Sequence, residues 1–99
     1  MTTSDRPVEV TCAERGDGWL CDVTVGPASG ATHHVVSVSA ADLADFALPG
    51  TTPEQLVAAS FEFLLDREPR QSILHRFDLP VIADYFADYP TEIGRRLRP

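Results

Sequence analysis

The chain contains no lysine, so its eight positively charged side chains are all arginines, against fifteen acidic side chains and a formal net charge of −7. Proteins that grip duplex nucleic acid usually present a basic face. The one basic cluster here is Arg95, Arg96 and Arg98, close to the end of the chain, where cations suit the C-terminus of a helix. We therefore expect no binding to duplex nucleic acid.

Long apolar runs are also missing, and none approaches the length of a membrane span. The first ten residues, MTTSDRPVEV, lack the apolar core of a signal peptide. These features predict a cytoplasmic protein without membrane contact. A length of 99 residues is typical of a single domain, over residues 1–99, with residues 1–6 disordered.

Catalytic motifs are absent too: the sequence has no nucleophile elbow, no glycine-rich phosphate loop and no Asp-x-Asp run. His33 and His34 are adjacent, so on a strand they point to opposite faces of the sheet. No carboxylate is placed to orient either of them, and His75 has no evident partner. We expect no catalytic, cofactor-binding or metal-binding residues, and therefore neither an enzyme nor a cofactor.

The sequence has only two cysteines, Cys12 and Cys21. Thiols in the cytoplasm stay reduced, and a buried free cysteine packs as a small hydrophobic residue. The spacing of the two cysteines, with two histidines following, matches no common zinc site. We expect reduced, adjacent thiols without metal. A cross-strand disulfide that acts as a redox switch is the alternative.

Apolar residues alternate with polar ones in three segments, which predicts half-buried strands over about 8–14, 19–25 and 32–38. A type II′ turn with Gly16 and Asp17 at its centre would join the first two strands. That turn places Cys12 opposite Cys21 and makes the pairs on the buried face apolar. The three strands are expected to form an antiparallel meander in the order 1-2-3.

Helical patterns follow the strands. Thr52 and Gln55 form a capping box at the start of a main helix over about 53–68, which Pro69 ends. A short helix capped by Ser39 comes before it, and short proline-separated helices follow, the first over 71–77. The apolar residues of the main helix form a broad stripe, with one member off it: Leu56, Val57, Phe61, Leu64 and Leu65 on the stripe, and Phe63 beside it.

Strands first and helices after them predict an α+β fold, in which an antiparallel sheet is covered on one face by helices. The stretches SFEFLLDREPRQSIL and FDLPVIADYFADYPTEI resemble a pattern found in a family of small uncharacterised bacterial proteins. The resemblance covers about the C-terminal half of the chain. It implies no activity, because no catalytic role is known for that family. The layout also looks loosely like that of HicB-type antitoxins, an analogy of fold only.

The third strand, THHVVSVS, has no charged residue at neutral pH and no proline. Open sheet edges invite pairing with another chain unless charge, proline or a covering segment protects them. We therefore predict a homodimer, joined through the edge of this strand or through the sheet face beside it. The interface residues would be His33, Val35 and Ser37.

Three arginines lie near the end of the main helix and beyond it: Arg67, Arg70 and Arg76. They could contact an acidic partner, or they could serve as solvated caps and ion pairs within the chain. Taken together, the sequence favours a non-enzymatic protein-interaction or regulatory module, adaptor-like or antitoxin-like, with an unidentified protein partner. The alternative is a small-ligand-binding protein with a pocket between the sheet and the main helix.

Overall fold

The computed structural model describes residues 7–27 and 29–98, and the predicted disorder of residues 1–6 lies outside that part. Its architecture is α+β, as predicted, with helices packed on one face of a sheet. The elements in chain order are β1 (Val8–Arg15), β2 (Gly18–Val25), β3 (Thr32–Ser39), α1 (Ala40–Phe46), α2 (Pro53–Leu65), a 3-10 turn (Arg70–Ser72), β4 (Arg76–Asp78), α3 (Val81–Tyr85) and α4 (Tyr89–Leu97).

The first hairpin has the predicted register, with Cys12 opposite Cys21 and Val10 opposite Val23. Gly16 has a φ of 62°, which a residue without Cβ adopts at little cost at this tight turn. Two-residue hairpin turns favour such positive φ values because their twist matches that of the strands. β3 then pairs antiparallel with β2, which confirms the meander.

The sheet has a fourth strand, which corrects the prediction of three strands and of a helix over 71–77. β4 pairs parallel with β3, so that Arg76 lies opposite Val35 and Asp78 opposite Ser37. A backbone hydrogen bond at the start of β4 supports this pairing: the Val35 amide donates to the His75 carbonyl at 2.7 Å. The 71–77 stretch is too short to nucleate a helix easily, whereas the edge of β3 offers it ready backbone partners.

The same strand overturns the prediction of a dimer joined at the edge of β3. From Val35 to Ser37 that edge is occupied by β4. A second copy of the chain could pair there only by displacing β4. The other predicted surface, the sheet face beside β3, is not covered by β4.

The main helix α2 begins as predicted, because the Thr52 hydroxyl accepts from the Gln55 amide at 3.1 Å and the Gln55 side chain accepts from the Thr52 amide at 2.9 Å. It ends at Leu65 rather than at residue 68. Glu68 precedes Pro69, and the residue before a proline is disfavoured in the helical conformation. Its amide instead donates to the Leu64 carbonyl at 2.9 Å in a closing turn.

Helix α2 is buried on two sides, as the position of Phe63 off the apolar stripe indicates. On the sheet side, the fully buried Phe61 ring lies 5.3 Å from the His34 ring. On the other side, Phe63 meets Phe86 and Tyr89 edge to face at 5.8 and 5.3 Å. These edge-to-face contacts join the main helix to the segment that carries α3 and α4.

One buried polar pair lies within this helical layer. The Ser60 hydroxyl donates to the Leu56 carbonyl at 2.7 Å and lies 2.7 Å from the Tyr89 hydroxyl. Burial raises the pKa of Tyr89 well above its usual range, so the phenol stays protonated. The pair is satisfied internally and acts as a cross-link between α2 and α4.

Candidate functional site

A mainly apolar groove of about 410 Å³ lies beside the C-terminal end of α2. The segment 72–77 forms one wall and α3 forms the other. The sequence predicted a pocket between the sheet and the main helix, and the groove lies instead at the end of that helix. It is lined by Leu64, Glu68, Ser72, Ile73, Leu74, Phe77, Val81, Ile82, Tyr85 and Phe86.

The groove has a buried floor and exposed apolar walls. Leu64, Phe77 and Ile82 are buried in the floor. Leu74 is 46% exposed and Tyr85 is 68% exposed, and they are the exposed large hydrophobic residues of the described chain. Both line this one groove. Single exposed apolar side chains are ordinary, but a cluster of them beside an apolar floor is typical of a binding surface.

Two of the ten lining residues, Glu68 and Ser72, have polar side chains. Glu68 is half-buried, and burial raises the pKa of its carboxyl group. Within residues 7–27 and 29–98 its carboxylate has neither an ion pair nor a hydrogen bond. The groove therefore combines an apolar lining with one uncompensated acid.

Of the three arginines predicted to contact an acidic partner, two are engaged within the chain. Arg67 forms an ion pair with Asp88 at 2.5 Å, and its guanidinium lies 3.8 Å from the centre of the Phe63 ring. Arg70 donates to the Gly30 carbonyl at 3.0 Å. Arg76 is exposed on β4. The structure therefore does not present them as one free basic surface, and it matches the alternative of contacts within the chain.

The predicted interface residues lie on the face of the sheet that α2 leaves uncovered. His33 is exposed, whereas Val35 and Ser37 are half-buried. The Ser37 hydroxyl donates to Asp78 of the neighbouring strand β4. The face is mixed in character, since the acidic Asp22 lies opposite Val35 on β2. It therefore lacks the contiguous apolar surface that the groove has.

His34 points to the other face and is 1% exposed. Its Nδ1–H donates to the Leu74 carbonyl at 2.8 Å, and its Nε2 accepts from the Thr32 hydroxyl at 2.9 Å. Its ring stacks on that of His75, with centroids 5.5 Å apart. This contact was not predicted, because the pairing of β4 with β3 brings residues 34 and 75 together. His34 thus anchors the backbone of a groove wall to the sheet.

The unfolding free energy should fall as the pH drops below about 6.5, the ordinary histidine pKa. Burial, assisted by repulsion from His75 and His33, lowers the pKa of His34 despite its hydrogen bond to Leu74. As the pH falls, His34 is therefore protonated at a higher pH in the unfolded chain than in the folded chain. The free energy of unfolding is highest above the unfolded-state pKa and decreases as the pH falls toward the folded-state pKa. Urea unfolding from pH 8 to pH 5 measures the effect.

The matched variants are His34→Gln, which retains hydrogen-bonding groups without titrating, and His33→Gln on the exposed face. The pH dependence should shrink in the first variant and persist in the second. Equal pH profiles in both variants would mean that His34 does not control the acid sensitivity.

Cys12 and Cys21 are bonded in a disulfide, which corrects the expectation of free thiols. Their predicted adjacency is confirmed, with Cα atoms 4.0 Å apart across the β1–β2 pair. The prediction of reduced thiols rested on the expected compartment, whereas the hairpin register alone brings both side chains to one face within bonding reach. Neither sulfur is therefore a free ligand or nucleophile in this structure.

In the described residues, no group of three or more histidine, cysteine or acidic side chains is arranged to hold a metal ion. In the same part of the chain, no helix is long and apolar enough to span a bilayer. Compared with known proteins, the chain matches no family model, no curated protein and no solved structure. The resemblance of the C-terminal half to a bacterial family thus stays a prediction.

The groove was not predicted from the sequence. Leu74 was assigned to a helix over 71–77, and Tyr85 was grouped with the other apolar residues of the next helix. With the 3-10 turn and β4 in place of that helix, Leu74 and Tyr85 both line the groove.

Proposed function

We propose that the protein is a non-enzymatic interaction module that binds a partner protein through the groove between segment 72–77 and α3. The observation that carries the proposal is the convergence of Leu74 and Tyr85 on one apolar depression. Apolar side chains that stay in water forgo the stabilisation that burial supplies, and a bound partner would provide it. An adaptor-like or antitoxin-like role in the cytoplasm is the corresponding cellular proposal.

A small apolar ligand is the second candidate, and the volume of the groove favours it. A volume of about 410 Å³ is within the range of small-molecule sites. Such sites, however, enclose most of their ligand, whereas Tyr85 keeps 68% of its surface in solvent. Because the walls are exposed to solvent, a partner protein that covers them suits the groove better than a small ligand does.

Buried polar groups of the described chain also support a binding role over catalysis. Ser60 and Tyr89 satisfy each other, and both ring nitrogens of His34 are engaged by structural partners. A homodimer remains part of the proposal. It would use the open sheet face with His33 and Val35, because β4 occupies the edge of β3.

The test is affinity capture from cells of the source organism, compared across three forms of the full chain. A double variant, Leu74→Ser with Tyr85→Ser, removes the apolar walls. The matched control, Leu74→Met with Tyr85→Phe, retains them. We expect a specific partner to be captured by the wild type and by the control, and its recovery to fall roughly tenfold or more with the serine variant, because such apolar anchors dominate interface energies.

Circular dichroism and thermal unfolding should be similar for all three forms, since both residues are exposed. Identical sets of captured proteins for all three forms would contradict the proposal. Recovery of a bound small molecule from the wild type and the control, in place of a protein, would favour the second candidate.

A further inference from the structure

Glu68 is the charged residue that lines the groove, and it lies where a charge is costly. It lies in the turn beyond the C-cap of α2 and is half-buried among apolar lining residues. Water solvates a half-buried carboxylate incompletely, and a cation or a hydrogen-bond donor compensates for the hydration that it loses. The pKa of the Glu68 carboxyl is raised by this burial. The described chain supplies no such partner.

The cations closest in sequence are directed elsewhere. Arg67 is held by Asp88 and by the face of the Phe63 ring. Arg70 reaches to the Gly30 carbonyl in the β2–β3 loop. Neither forms an ion pair with Glu68, so no positive charge in the described part of the chain complements it, and a molecule in the groove can supply one.

The walls also restrict the backbone of that occupant. They consist mainly of apolar side chains, among them Leu74 on one side and Val81 and Tyr85 on the other. An extended segment would need hydrogen-bond partners for its backbone, which apolar side chains cannot supply. An α-helix satisfies its backbone internally and presents apolar residues at positions i, i+3, i+4 and i+7.

We propose that the groove binds an amphipathic helix of a partner protein, and that this helix places an arginine or lysine against Glu68. The inference rests on the proposed function and names the kind of partner. The formal net charge of −7 supports a basic partner, since opposite charge speeds encounter and orients it. Apolar anchors on the helix cover Leu74 and Tyr85, and the cation sets its register.

The experiment is a selection from a displayed library of helix-forming peptides, about 16 residues long so that they hold a helix. One face of each peptide is randomised among apolar, cationic, acidic and polar residues. The full chain serves as the target, and the Leu74→Ser, Tyr85→Ser variant removes peptides that bind elsewhere. We expect enriched peptides to carry arginine or lysine one helical turn from an apolar anchor.

The enriched peptides are then measured against Glu68→Gln and against a matched control, Glu54→Gln, which changes the same residue type in the first turn of α2. Affinity should fall roughly fivefold for Glu68→Gln, the size expected for a partly exposed ion pair, and should be unchanged for Glu54→Gln. The loss should also shrink as salt is raised.

Enrichment of peptides without a cation, or equal affinity for both glutamine variants, would overturn the inference while leaving the groove a protein-binding site. Failure to enrich any helical peptide would overturn it as well. The proposed function is judged separately, by whether the capture experiment loses its partner with the serine variant.

Discussion

Replacing Phe61 by alanine is expected to lower the free energy of unfolding by about 3–5 kcal/mol, the usual cost of removing a buried aromatic ring. The ring is fully buried, 5.3 Å from His34 and 6.1 Å from Phe77. It therefore lies where α2, β3 and β4 meet, and neighbours on rigid strands cannot collapse into the space that it leaves. Urea unfolding, with the midpoint and its slope fitted together, measures the loss.

The controls for Phe61 separate burial from ring chemistry. Phe61→Leu keeps most of the volume and should cost much less than the alanine variant. Tyr85→Ala removes an aromatic ring that is 68% exposed and should change the midpoint little. A loss at Phe61 no larger than that at Tyr85 would show that α2 does not pack on the sheet as described.

Reducing the Cys12–Cys21 disulfide is expected to lower the free energy of unfolding by about 2–3 kcal/mol without unfolding the chain. The two residues are nine positions apart, so the bond closes a short loop and restricts the unfolded chain by a correspondingly modest amount. Cys21 belongs to the buried core and Cys12 packs against it, but most of that core consists of apolar side chains that the bond does not hold. Urea unfolding with and without a phosphine reductant measures the change.

The double variant Cys12→Ala with Cys21→Ala is the control for this second prediction. It should be destabilised to a similar degree and should no longer respond to the reductant. An unchanged midpoint for the wild type on reduction would contradict the prediction. Thiol titration of protein taken directly from cells would then show which form is present there, since the redox state of thiols depends on the compartment.

The sequence by itself determined the elements whose signals are local. Alternation with period two, together with a glycine at the turn, sets the register that places Cys12 opposite Cys21. The side chains of Thr52 and Gln55 mark the start of α2, because they satisfy amides that a helix leaves free at its N-terminus. In each case the decisive contacts join residues that are close in the chain.

The tertiary structure alone decided the features that depend on distant partners. β4 has only three residues and no clear pattern of its own, and the edge of β3 makes it a strand. That pairing covers the edge predicted for a dimer, brings His75 onto His34 and leaves Leu74 exposed in the groove. The intrinsic conformational preference of a short segment is worth too little free energy to fix its structure. The surface against which the segment packs therefore determines its conformation.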